Sequence, residues 1–167
     1  MLKKLLVLLS VVTVLGACSS SANSSKEESG ESLFKLEDIN GKTVDLADYE
    51  GKNVYVKFWA SWCPICLAGL EEVNTLAAES TDFEVLTVVA PGYNNEKDKK
   101  GFVKWFKGVE NVENLSVLLD EGGKLVQDFE VRGYPTSAFI NKEGELVKTQ
   151  PGQLSNDQIK DMMDQLN

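Results

Sequence analysis

Two cysteines stand where a strand must turn into a helix, in Trp62-Cys63-Pro64-Ile65-Cys66, and that junction narrows the folds open to this chain. The residues before it, Val54-Tyr55-Val56-Lys57-Phe58-Trp59-Ala60, are β-branched and aromatic, as a buried strand requires. After it, Leu67, Leu70, Val73 and Ala77 recur at helical spacing and predict one helix over Cys66–Glu79. Cys63 then falls at the helix cap and Pro64 at the first helical position, where a missing N–H costs nothing. The first N–H groups of a helix have no internal partner and its dipole favours an anion. A sulfur placed there is held readily as thiolate.

Two thiols separated by two residues can close a small disulfide or open to a dithiol. They can also form half of a zinc site, but zinc generally takes four ligands, and the chain has one other cysteine and no histidine. As a purely structural staple the pair would be weak, because a very short loop constrains the unfolded chain least. Redox chemistry is the reading that the strand–turn–helix placement favours. The lack of histidine also removes His-based triads and Cys-His proteases from consideration. A net charge of −9 argues against nucleic acid or an anionic lipid surface as the main partner and suits solubility.

The N-terminus reads as a processing segment. Lys3 and Lys4 form a positive n-region, and Leu5 to Leu15 an apolar stretch too short to span a bilayer. Leu15-Gly16-Ala17-Cys18 closes it, which makes residues 1–17 the expected signal peptide. Its removal takes away Lys3 and Lys4, so that the charge falls from −9 to −11. Residues 18–32 follow, with Ser19 to Ser32 almost wholly polar, charged or glycine, a composition that cannot build a core. Such a tether has a typical reach of ~20 Å and a limit near ~48 Å.

From residue 33 to residue 167 the pattern is globular. Phe34, Leu36 and Ile39, then Asn40-Gly41, then Thr43, Val44 and Leu46 predict a hairpin with a type I′ turn. Phe83–Ala90 is a second continuous apolar run, suited to a strand covered on both faces. Pro91-Gly92-Tyr93-Asn94-Asn95 breaks it, and Phe102, Val103, Phe106 and Val109 mark a helix. Leu115–Leu119 is expected as a strand, Leu125, Val126 and Phe129 as a short helix, and Ser137–Asn141 with Glu145–Thr149 as a hairpin. Ile159, Met162, Met163 and Leu166 stripe a last helix, as core rather than as a cofactor box. The fold class is α/β, a sandwich of helices around one mixed sheet.

Phe58-Trp59-Ala60-Ser61-Trp62-Cys63-Pro64-Ile65-Cys66 resembles the active-site stretch of the thioredoxin superfamily, and Val131-Arg132-Gly133-Tyr134-Pro135-Thr136 is similar to its second signature loop. The hairpin ahead of the first core strand and the helical insertion near residues 96–107 look like the TlpA/ResA branch of membrane-tethered extracytoplasmic thioredoxins, with the lipoproteins that serve surface methionine sulfoxide reductases of Gram-positive bacteria most alike. The resemblance implies a thioredoxin-like sandwich whose redox-active disulfide, Cys63–Cys66, needs no further cofactor and no metal. Cys63 would be the exposed nucleophile and Cys66 the more buried resolving thiol. Pro135 would be cis, with Tyr134 offering backbone hydrogen bonds to an extended client, and Trp62 and Pro64 would complete the client-binding surface. Cys18, after its small residues, resembles a lipobox cysteine, acylated to anchor the domain at the outer face of the cytoplasmic membrane.

Lys57 departs from the family pattern, in which many members carry a buried acid that relays a proton for the resolving cysteine. A cation there favours thiolate, while burial drives the lysine toward its neutral form. Two expectations stand side by side: Lys57 takes over part of the proton management, or it snorkels to solvent and does nothing chemical.

The resemblance implies a monomeric extracytoplasmic reductase, recharged by a CcdA-type membrane dithiol donor. Its clients would be an oxidised methionine sulfoxide reductase or an apocytochrome c. A disulfide-forming oxidase would use the same residues in reverse. A peroxidase of peroxiredoxin type would want a hydroxyl residue where Ala60 stands. A non-enzymatic binding lipoprotein with a structural disulfide is the alternative from another class.

Overall fold

A computed structural model describes residues 32–80 and 82–166. The expected signal peptide, Cys18 and the tether as far as residue 31 lie outside these described residues. Seven strands form one sheet: β1 (Lys35–Asp38), β2 (Thr43–Asp45), β3 (Asn53–Phe58), β4 (Phe83–Val89), β5 (Ser116–Leu119), β6 (Thr136–Ile140) and β7 (Leu146–Pro151). Their order is β2-β1-β5-β4-β3-β6-β7. Strands β3, β4 and β5 run parallel. Strand β6 pairs antiparallel with β3 and β7, and β1 antiparallel with β5 and β2. The helices are α1 (Pro64–Ala68), α2 (Leu70–Glu79), α3 (Lys99–Phe106), α4 (Lys124–Asp128) and α5 (Asn156–Asp164). This is the thioredoxin-like mixed sheet flanked by helices.

Strand β3 is central, and every one of its residues is buried. Side chains alternate across a strand, so its two faces feed two separate cores. Val54, Val56 and Phe58 pack with Leu86, Val88, Leu125, Val126, Phe129 and Ile140 on one side. Tyr55 and Trp59 pack on the other with Leu70, Val73 and Leu76 of α2, Phe102 and Phe106 of α3, and Ile159 and Met163 of α5. Both cysteines of the pair belong to this second core. The methionine stripe behaves as core, with Met163 buried and Met162 packed against it.

Three local expectations are corrected. The helix expected over Cys66–Glu79 is two helices, because the chain breaks at Gly69, where φ is −98° and ψ is 2°. An added Cβ at Gly69 would lie 2.6 Å from Nε2 of Gln153, so the amide of a later segment occupies the space beside the break. The first hairpin does not carry a type I′ turn, which needs positive φ at both central residues. Gly41 has φ 82° but Asn40 is not left-handed, and Glu37 pairs with Thr43 across the loop. The Asp38 carboxylate, which accepts from the N–H groups of Asn40 and Lys42, supports this other turn. Leu46, expected to extend the second strand of that hairpin, instead opens a 3-10 turn over Leu46–Tyr49 that Asp45 caps.

Candidate active site

The site grows from the end of β3. Trp59 is fully buried, with ring-centroid distances of 5.8 Å to Phe102 and 6.1 Å to Phe106 of α3. Beyond it Ala60–Cys63 forms a tight turn in which the Cys63 N–H donates to the Ala60 carbonyl at 3.1 Å. Pro64 then opens α1 with Cys63 as its cap residue. The Cys63 sulfur accepts the N–H of Cys66 at 3.2 Å. This is the side-chain capping expected of the junction, with sulfur in the role that a Ser or Asp oxygen usually fills.

Cys63 and Cys66 are joined as a disulfide, S–S 2.07 Å and Cα–Cα 5.2 Å. Cys66 has no exposed surface, and Cys63 retains 4%. Cys66 is the more buried of the two, as anticipated. The openly exposed Cys63 is a correction: only an edge of the residue meets solvent, and the Tyr134 carbonyl oxygen lies 3.7 Å from its sulfur. In the disulfide that sulfur carries no hydrogen to donate, and once reduced the thiol can donate there.

The second signature loop closes over this edge. The Tyr134–Pro135 peptide bond is cis, and Thr136 Oγ1 donates to the Gly133 carbonyl at 2.8 Å. Pro135 is buried and Tyr134 half-buried. Trp62 meets Tyr134 edge-on at 5.8 Å between ring centroids. Burial raises the Tyr134 hydroxyl pKa, opposed by a hydrogen bond with Asn94 and reinforced by the charges of Tyr93, Asp120 and Glu96, so the ring stays neutral. Trp62 and Ile65, which flank Cys63 in the chain, are large apolar side chains left 47% and 54% exposed, with Pro64 also exposed. Thus Trp62, Cys63, Pro64, Cys66, Tyr134 and Pro135 come together at one end of the sheet.

Lys57 lies on the same side of the sheet. Alternation along β3 puts it on the face of Tyr55 and Trp59, which is also the face of the cysteine pair. It does not snorkel: it is 1% exposed, and its Nζ donates to Gln153 Oε1 at 2.8 Å. Burial pulls its pKa down to about 8, against the opposing charge of Glu72. The ammonium therefore gives up its proton around pH 8, well below an exposed lysine.

Two site residues carried no warning in the sequence. Glu96 stands at the start of the helical insertion expected near residues 96–107, where no motif marks it as a site residue. It is in fact buried, and its carboxylate accepts from Ser61 N–H at 2.5 Å, Ser61 Oγ at 2.6 Å and Lys97 N–H at 2.7 Å. Gln153 lies beyond the last strand, where nothing in spacing ties it to Lys57. The isolated Gly69 inside a helical pattern was the available signal that something approaches closely there.

A disulfide at a helix cap, edged by a cis-proline loop on a mixed sheet, defines a thioredoxin-type thiol–disulfide oxidoreductase. The chain belongs to the redoxin family, whose profile matches residues 10–166. It is 32% identical over 153 residues to the thiol-disulfide oxidoreductase ResA of Bacillus subtilis, covering 90% of this chain and 82% of ResA. Its fold superposes with a TM-score of 0.77 on the pneumococcal exposed lipoprotein thioredoxin Etrx1 of Streptococcus pneumoniae strain TIGR4, at 50% identity over 80% of this chain and 98% of that one. The N-terminal domain of PilB from Neisseria gonorrhoeae matches with a TM-score of 0.72 and 29% identity, over 77% of this chain and 86% of that domain.

Proposed function

We propose that this protein is an extracytoplasmic reductase of client disulfides, held at the outer face of the cytoplasmic membrane by lipid on Cys18. Residues 33–167 are its working domain, and residues 1–17 are removed. The observation that supports a reactive pair best is the position of Cys63: its sulfur caps α1 and accepts the Cys66 N–H, and the residue keeps a small exposed edge where Cys66 has none. In the dithiol state the Cys63 thiolate attacks one sulfur of the client disulfide. A Cys63–client bond forms, and the client's other sulfur leaves as thiolate. Cys66 then loses its proton and attacks Cys63, closing the disulfide and releasing the second client thiolate. Two electrons pass to the client, whose thiolates take up the protons that the two cysteines gave up.

The domain ends oxidised, so each cycle needs a dithiol donor, and a membrane carrier of CcdA type suits a tethered protein. Likeness to an exposed lipoprotein thioredoxin supports the location. An oxidised methionine sulfoxide reductase and an apocytochrome c are the two client classes. Trp62, Pro64, Tyr134 and Pro135 form the surface that receives the client's extended segment. The deciding experiment equilibrates the pair against glutathione or dithiothreitol. A potential near the thioredoxin range, about −270 mV, supports a reductase, and one near about −120 mV makes the protein a disulfide-forming catalyst instead.

A further inference from the structure

The insertion between β4 and β5 reaches the site through Glu96. Glu96 takes hold of Ser61 in the turn that delivers Cys63, through both the backbone N–H and the hydroxyl. Ser61 Oγ at the same time accepts from Lys97 Nζ at 2.6 Å, and that ammonium lies 3.8 Å from the Glu96 carboxylate and 5.0 Å from the Trp105 ring centroid. The Glu96 side chain is 2% exposed, so this is a desolvated carboxylate with its hydrogen bonds concentrated on one turn. Charge-assisted bonds of this kind are roughly twice as strong as neutral ones.

The consequence follows from where Ser61 stands. The Ala60–Cys63 turn has one internal bond, from Cys63 N–H to the Ala60 carbonyl. The N–H of Ser61 points out of that turn and is satisfied by Glu96. Without Glu96 the buried Ser61 N–H would lose its partner and the Ser61 hydroxyl its acceptor, and an unsatisfied buried donor is costly. The turn would then relax, and Cys63 with it. Replacing the Glu96 carboxylate while Lys97 stays on Ser61 Oγ makes the surroundings of this turn more positive, which favours a thiolate at its end.

We propose that Glu96 is a positioning residue for the Cys63–Cys66 pair: by clamping Ser61 it fixes the turn that presents Cys63 and holds the pair toward its oxidised, disulfide form. The insertion is thus the element through which this chain tunes its pair, in place of the acid that many family members carry on the strand. This inference rests on the oxidoreductase reading.

The test uses the folded full chain and the glutathione equilibrium of the pair, with the pH profile of Cys63 alkylation as a second readout. Glu96→Gln replaces an acceptor by an amide that cannot receive both Ser61 bonds and Lys97 together. It is expected to shift the exchange constant at least tenfold toward the dithiol, about 30 mV for a two-electron couple, and to move Cys63 alkylation to lower pH. Ser61→Ala should shift both in the same direction by less, since the backbone bond survives. Asp98→Asn removes an acid two residues away that does not touch Ser61, and Val126→Ala weakens the opposite core. Both should leave the constant within twofold. A folded Glu96→Gln protein with unchanged constant and alkylation profile overturns the proposal, and so does an equal shift in Asp98→Asn. If the wild-type pair does not exchange with glutathione at all, it is the oxidoreductase reading that fails instead.

Discussion

Lys57 Nζ and Gln153 Oε1 are 2.8 Å apart, a hydrogen bond between the central strand and the segment that follows the last one. The same glutamine donates from Nε2 to the Leu154 carbonyl at 3.1 Å, and its amide fills the space in front of Gly69. Its neighbour Gly152 donates to the Pro135 carbonyl at 2.8 Å. A buried cation, a helix break below the cysteine pair and the cis-proline loop are therefore tied to one short piece of chain.

Lys57 makes the protein's stability depend on pH in a defined window. Its pKa falls from 10.5 to about 8 on folding, because burial penalises the ammonium. Between those values the unfolded chain binds more protons than the folded one, so stability rises as pH goes from about 8 to about 10.5. The gain is on the order of 3 kcal/mol for a shift of this size. Lys57→Met should abolish that rise in urea unfolding measured across the window. In the same variant the Cys66 thiol titration should shift if the buried amine on that face of β3 shares in its proton transfer. An unchanged Cys66 titration would remove Lys57 from the proton chemistry and leave it a structural residue.

Gly69→Ala is expected to destabilise the fold, against the ordinary helix preference for alanine. Its backbone conformation is open to any residue, so the cost comes from the Cβ, which would meet the Gln153 amide at 2.6 Å. That amide is not free to move, since Lys57 holds its oxygen. A loss on the order of 1–3 kcal/mol is expected in denaturant titration. Gln153→Ala in the same background should return part of it, by vacating the space. A Gly69→Ala protein as stable as the wild type would show that Gln153 is held less firmly than the geometry indicates.

The strands, the cap and the cysteine pair were legible because they rest on local patterns. An apolar run bounded by a thiol pair and a proline fixes a strand, a turn and a helix start in thirteen residues, from Val54 to Cys66. The second signature placed Tyr134 and Pro135 at the same end of the sheet only through family resemblance. What local pattern does not carry is the partner of a polar residue far along the chain. Ser61 and Glu96 are 35 residues apart, and Lys57 and Gln153 are 96 apart. Lys57 could be marked as unusual but not as buried, because a lysine on a strand is equally compatible with a snorkelling stem. The break at Gly69 was missed for the same reason: the helical period continues through it, and only the distant Gln153 explains it.

Trp62 and Ile65 are exposed apolar side chains flanking a nearly covered Cys63, and this predicts where client affinity resides. Large aromatic side chains at the centre of a contact carry much of its energy. Trp62→Ala should raise KM for reduction of a disulfide-bearing test protein about tenfold, an effect of ~1.4 kcal/mol. The glutathione equilibrium should move far less, since a small thiol uses little of this surface. Ile65→Asp should act in the same direction and add sensitivity to client charge. Equal losses toward glutathione and protein clients would mean that these side chains shape the pair itself rather than dock a partner.

The difference in burial between the two sulfurs predicts which of them forms the intermediate. Cys66 has no exposed surface, so an incoming disulfide can reach only Cys63. With Cys66→Ser, attack by Cys63 proceeds but no second thiol closes the ring, so the client stays covalently attached. A stable adduct should accumulate on non-reducing gels and dissolve on adding dithiothreitol. Cys63→Ser should give no adduct, because the remaining thiol sits beneath the turn and the cis-proline loop. The Cys66→Ser protein also keeps the hydrogen bond from residue 66 N–H to the Cys63 sulfur, which involves the backbone alone. Its Cys63 should therefore still alkylate faster at pH 7 than an unperturbed thiol of pKa ≈ 8.5. Adducts forming through Cys66 instead would reverse the assignment of the two roles.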